Sequence, residues 1–190
     1  MLFIQILNHE KRDFMNNCPM KLNTKGIQLD NYLIRELRDS EAYILEDMLY
    51  EAIFQPDESN PIPREIINQP NLIAYINNWG RLHDLCIVAE VNGKIAGAVW
   101  TRIFDGEIRG YGTIDKQTPE LSISLFKENR NKGIGSTLMK IMLEKLKEHG
   151  YSKISLSVSK NNYAFKLYQN LGFIIIEERK DDYLMIYELS

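Results

Sequence analysis

One seven-residue turn, Arg130-Asn131-Lys132-Gly133-Ile134-Gly135-Ser136, constrains the fold more than any other stretch of the chain. Ahead of it, Glu120 to Phe126 alternates Leu121, Ile123 and Leu125 against Ser122 and Ser124, which predicts a strand. Behind it, Ile134 to Glu148 brings Ile134, Leu138, Ile141, Met142 and Leu146 onto one helical face, the spacing of core packing. Glycines at 133 and 135 let the backbone approach an anion with no Cβ in the way. Free N–H groups and the positive dipole end at a helix start suit a phosphate. Arg130 and Lys132 add positive charge from the same turn. The stretch reads as a pyrophosphate cradle.

Two familiar phosphate loops are excluded. No G-x-x-x-x-G-K-[ST] run exists, and the small residue a dinucleotide fingerprint needs three places after Gly135 is Leu138. What remains is R-x-x-G-x-G, and three further elements accompany it. Glu120 stands thirteen positions before Gly133, Asn162-Tyr163-Ala164-Phe165-Lys166-Leu167-Tyr168 lies downstream, and Leu171-Gly172-Phe173 follows. In this order and spacing the four elements resemble the GCN5-related N-acetyltransferase (GNAT) superfamily. The resemblance is close from about residue 85 to the C-terminus and looser from about residue 32 to 84.

The bulk properties agree with a single domain. A chain of 190 residues can bury a substantial core, and 44% hydrophobic with 26% charged residues is ordinary for a globular protein. A net charge of −3 argues against a nucleic-acid binder, which should carry a basic stripe, and leaves a cationic amine admissible. Cys18 and Cys86 form no disulfide framework, and Cys86, within an apolar run, reads as a buried inert thiol. Met1 to Leu7 is apolar but too short for a membrane span and lacks the basic segment of a secretory signal. The expectation is a cytoplasmic protein without a membrane partner.

Residues 1–31 match nothing in the family pattern. A native extension, an extra edge strand, and sequence upstream of a later start at Met20 all fit them. The domain is expected over 32–190. A first strand covers Leu33 to Arg38, and Asp39-Ser40 offers an N-cap for a helix from Glu41 to Phe54. Pro56, Pro61 and Pro63 then force an extended connection. A helix over Leu72 to Trp79 follows, with Ile66 and Ile67 in an earlier turn. Leu85 to Val91 and Lys94 to Phe104 form a hairpin about Asn92-Gly93, whose residues favour positive φ. Asp105 to Pro119 is a long glycine-bearing loop, a length often used for functional gates. His149-Gly150 caps the main helix. A strand over Ile154 to Val158, a short helix from Asn162 to Asn170 and a hairpin of Phe173–Glu178 with Tyr183–Leu189 complete the chain. Interleaved strands and helices describe an α/β domain with a mixed sheet flanked by helices.

The resemblance implies a mostly antiparallel twisted sheet whose central strand pair splays to bind coenzyme A, with acetyl-CoA as co-substrate and no metal. His9, His83 and His149 are scattered without metal-ligand spacing, and His83-Asp84 accompanies no nucleophile. Acetyl transfer to a primary amine needs a base, an oxyanion donor and an acid for the departing thiolate. Glu120 is the candidate base, with Asp115 and Glu107 as alternatives and a water relay admissible. Tyr168 is the candidate acid. The resemblance places cofactor contacts at Ser124, Leu125, Phe126, Arg130, Asn131, Lys132, Gly133, Ile134, Gly135, Ser136, Asn162 and Tyr168. The amide of Leu125 or Phe126 is the expected oxyanion donor, and Asn162 is expected on the cofactor or a nearby backbone group, while Asn161 is available to cap the helix. Tyr43, Tyr50, Phe54, Tyr75, Trp79 and Tyr111 are candidates for the acceptor wall. The acceptor itself is open among peptide N-termini, lysines, polyamines, antibiotics and metabolites. A non-catalytic acyl-CoA-binding or regulatory module is the rival reading. Dimers are common in the family, but no segment here marks an interface.

Overall fold

The computed structural model describes residues 26–29, 31–57 and 59–189. Cys18, His9 and the apolar opening Met1–Leu7 lie outside them. Eight strands build one sheet in the order β1-β2-β3-β4-β5-β6-β8-β7. They are β1 Ile27–Leu29, β2 Tyr32–Glu36, β3 Leu85–Val91, β4 Lys94–Arg102, β5 Glu120–Leu125, β6 Lys153–Ser159, β7 Ile174–Glu178 and β8 Asp182–Glu188. Every neighbouring pair is antiparallel except β5–β6, which makes the sheet mixed, as the interleaved pattern predicts. Strand β1 lies ahead of the expected boundary at residue 32 and takes the sheet edge, one of the roles open to that stretch.

Helices α1 (Ile44–Ala52) and α2 (Pro70–Ile73) cover one face, over Leu45, Met48, Tyr75, Val88, Ala98 and Trp100. Helices α3 (Ile134–Glu148) and α4 (Ala164–Leu171) cover the other, where Leu138, Met142 and Leu146 meet Ile87, Val99, Leu121 and Leu156. All five apolar positions read from the period of α3 are buried. The Cys86 thiol is buried too, and burial pushes its pKa up, so it is inert.

Two helices start or stop differently from the sequence expectation. Arg38 rather than Asp39 precedes the first turn, where the Glu41 carboxylate accepts the Arg38 N–H at 3.1 Å, and regular α-helix begins only at Ile44. The helix expected over Leu72–Trp79 is a single turn followed by turns that end where Asn78 takes φ +51°, and Arg102 binds the free carbonyls of Ala74 and Asn77. The end of α3 is as expected: Gly150, at φ +80°, donates to Lys147, and Tyr151 donates to Leu146.

Candidate active site

Only one bridge, Glu120 to Ser155, ties β5 to its parallel neighbour β6, supported by Ser155 N–H donating to Pro119 O at 3.0 Å. Beyond that point the strands part. The splay that the resemblance implied is therefore present, and a cavity of about 830 Å³ opens there. Its walls are β5, the end of β6, α1 with the connection after it, and the start of α4.

The register of β5 decides which backbone groups face the gap. Phe126 N–H donates to Ala96 O at 3.0 Å, on the β4 side. Antiparallel pairing alternates hydrogen-bonded residues, so Ser124 and Ser122 also direct their main chain to β4, and Ile123 and Leu125 direct theirs to the gap. Of the two amides expected as oxyanion donors, Phe126 is thus already engaged, and Leu125 is the one aimed at the cavity. Ser124 is also not a main-chain contact: its hydroxyl donates to Met48 O at 2.7 Å and fastens β5 to α1.

The glycine turn lies at the open end. Asn131 and Gly133 adopt left-handed φ of +60° and +79°, and Asn131, Lys132 and Gly133 are exposed, with room for an anion over the first turn of α3. Ile134 is buried and anchors the turn, while Gly135 lines the cavity beside Leu125. Arg130 does not point freely outward. Its Nε donates to Leu125 O at 3.0 Å, and its Nη2 pairs with Glu51 of α1 at 2.7 Å. Glu51 was not foreseen. The two partners lie 79 positions apart, and nothing in the local pattern of α1 marks that carboxylate.

Glu120 is buried. Three donors surround it. Tyr75 O–H and Gly112 N–H (2.7 Å) share Oε1, and Thr113 O–H reaches Oε2 at 2.9 Å. Burial pushes its pKa above the ordinary glutamate value, and these hydrogen bonds oppose that rise. The alternatives fall away from the cavity. Asp115 caps its own turn through Gln117 and Thr118 and pairs with Lys153, and Glu107 is exposed on another surface.

The long loop is packed onto the site. Side chains at 110 and 112 would collide there: a Cβ on Gly110 would overlap the Glu120 carboxylate, and one on Gly112 would sit 2.8 Å from the Leu156 backbone. These two glycines serve close approach.

Tyr168 lines the same cavity from α4 and is only 7% exposed. Burial pushes its phenol pKa up, so it stays protonated and has a proton to donate. The Leu171-Gly172-Phe173 turn explains why it is held so firmly. Gly172 at φ +105° ends the helix, Phe173 N–H donates to Tyr168 O at 3.0 Å, and the two rings pack with centroids 5.8 Å apart. This is the hydrogen-bonded and hydrophobic pairing of a Schellman cap. Asn162, not Asn161, caps α4, accepting the Ala164 N–H at 2.9 Å while lining the cavity. Of the acceptor-wall aromatics, Tyr50, Phe54, Tyr75 and Tyr111 line the cavity. Tyr43 is exposed, and the Trp79 ring lies against Arg102.

Comparison with known proteins agrees with this geometry. The model of the acetyltransferase (GNAT) family matches residues 46–173. N-alpha-acetyltransferase 30 of Dictyostelium discoideum is 30% identical over 170 residues, 86% of either chain. Among solved structures, the yncA protein of Salmonella typhimurium with its cofactor acetyl-CoA superposes with a TM-score of 0.61 at 19% identity, covering 85% of this chain and 95% of that one. The ribosomal-protein-S18-alanine N-acetyltransferase of Escherichia coli gives 0.58 at 18% identity, covering 84% and 94%.

Proposed function

Because the chain belongs to the GNAT acetyltransferase family and is an N-acetyltransferase, we propose that it moves the acetyl group of acetyl-CoA to the α-amine of a peptide by direct attack in a ternary complex. The observation that carries the reading is the single-bridge opening of β5 from β6, with Glu120 and Tyr168 both lining the one cavity there. Bound acetyl-CoA would supply the activated thioester.

The residues of this chain do the rest. The amides of the exposed turn 131–133 and of the first turn of α3 hold the diphosphate, with Gly135, Ser136 and Lys132 around them. Ile123 and Leu125 offer main-chain groups to the pantetheine arm. As the amine nitrogen bonds to the acetyl carbon, the Leu125 N–H stabilises the oxygen that gains charge, a role worth about 3 kcal/mol. Glu120 is the terminal acceptor of the amine's proton. Tyr168 gives its proton to sulfur as the carbon–sulfur bond breaks. No acyl-enzyme is needed.

The α-amine is preferred over lysine for two reasons. The relative in Dictyostelium is named for that acceptor. An α-amine also titrates near 8, against about 10.4 for lysine, so a carboxylate of raised pKa suffices as its base. Thiol release from acetyl-CoA with a panel of free-N-terminal peptides, lysine derivatives and polyamines tests the reading. Turnover with the peptides, lost when their N-termini are blocked, is expected. Calorimetric binding of acetyl-CoA without thiol release on any amine would instead fit a regulatory module.

A further inference from the structure

We propose that Tyr75 is a positioning residue for acetyl transfer, its phenol holding the Glu120 carboxylate ionised and aimed at the cavity while the buried Arg102–Asp84 pair holds Tyr75. The proposal rests on the reading of Glu120 as the base.

Three observations carry it. First, the direction of the Tyr75 proton is fixed. Its oxygen accepts the Tyr111 N–H at 2.7 Å, so its hydrogen goes to Glu120. Second, Tyr75 cannot drift. Its ring stacks edge-on against Phe104 at 4.9 Å, and Arg102 donates to the carbonyls on either side of it, Ala74 at 2.7 Å and Asn77 at 2.8 Å. Third, Arg102 is itself located. Its guanidinium meets Asp84 through Nε at 3.0 Å and through Nη2, with both side chains almost wholly buried. Asp84 also accepts Gly80 N–H at 3.1 Å and Arg81 N–H at 3.0 Å. An ion pair this deep contributes little net stability, so location is the better account of it. Arg102 is also the β4 residue directly opposite Glu120, so pin and base share one register.

β6 meets Glu120 through Ser155, an uncharged residue, while the Arg179 charge favours the ionised carboxylate. Tyr75 follows α2, Gly112 and Thr113 belong to the long loop, and Arg102 lies across on β4. Arg179, from the β7–β8 turn, donates to Tyr111 O at 2.6 Å and steadies that loop. Among the donors to the carboxylate, Tyr75 alone comes from the helical layer that walls the acceptor side. It therefore ties the position of the base to that wall. Its phenol is also pushed up by burial, so it remains a donor throughout the working pH range.

The test is kcat/KM against pH with acetyl-CoA and a free-N-terminal peptide, for the native chain, Tyr75→Phe and Glu120→Gln. Losing a donor to the ionised form raises the Glu120 pKa, so Tyr75→Phe should move the acid limb up by about one pH unit. It should lower kcat at pH 7 by roughly tenfold and leave the KM for acetyl-CoA within about twofold. An unmoved limb, with Glu120→Gln inactive, overturns the role of Tyr75 and leaves the base standing. Full activity in Glu120→Gln removes the base, and this proposal with it. Should Tyr75→Phe fold poorly, 3-fluorotyrosine at position 75 keeps the shape and strengthens the donor. The limb must then move down, and no movement is again a refutation.

Discussion

At the scale of single residues, the proposed transfer makes opposite demands on the proton affinity of two groups lining the cavity. In the proposed mechanism Glu120 accepts a proton and Tyr168 gives one, and both are buried. Burial raises the pKa of each, which makes the glutamate a better base and keeps the phenol protonated. The acid limb of kcat/KM should therefore lie above the ordinary glutamate value of about 4.3. Glu120→Gln should abolish that limb and lower kcat by about 10²-fold or more, measured by thiol release. Tyr168→Phe keeps the ring against Phe173, so it should lower kcat by a similar factor with the KM for acetyl-CoA little changed. Equal activity in the phenylalanine variant would remove the phenol from the mechanism.

At the scale of elements, two short turns do most of the positioning. Gly172 closes α4, and an alanine there would combine left-handed backbone strain with a Cβ 3.3 Å from the Tyr187 ring. Gly172→Ala should cost about 1–2 kcal/mol, lower Tm by roughly 5 °C, and reduce kcat because Tyr168 is bonded to the same turn. Gly135→Glu places a carboxylate where the backbone now faces Leu125, Leu167 and Ile123, and calorimetry should then find no acetyl-CoA binding. Retained binding would mean that the cofactor turn is elsewhere. Both turns were legible in the sequence, because a left-handed glycine at the edge of a periodic run, Gly133 before α3 and Gly172 after α4, leaves a local mark. The β3–β4 hairpin was legible for the same reason, with Asn92 at φ +50° and Gly93 at φ +76°. The acceptor side was not. Its helix after Pro70 lasts one turn, with an arginine from β4 on the carbonyls beyond it, and the partners of Glu120 lie 45 positions before it and seven or eight before it in a loop. Side chains brought together by long-range contacts leave no periodic trace in one sequence. For the same reason Phe126 looked as suitable as Leu125 until the strand register was known.

At the scale of the whole molecule, the sheet is continuous except where it must receive a ligand. Antiparallel pairs carry the frame on both sides, and the single parallel pair is the one that opens. The frame is pinned across its acceptor face by Arg102 and Asp84. Removing the cation alone, as in Arg102→Met, leaves a buried carboxylate short of its partner. It should cost about 3–5 kcal/mol, a fall in Tm of roughly 10 °C by calorimetry. The central claim, however, concerns the opening itself. A crystal structure with coenzyme A bound tests it most directly. The diphosphate is expected on the amides of residues 131–135 and the pantetheine arm along Ile123 and Leu125, with sulfur between Tyr168 and Glu120. Coenzyme A found outside the β5–β6 gap, or a gap closed by a full parallel ladder when the ligand is present, would contradict it.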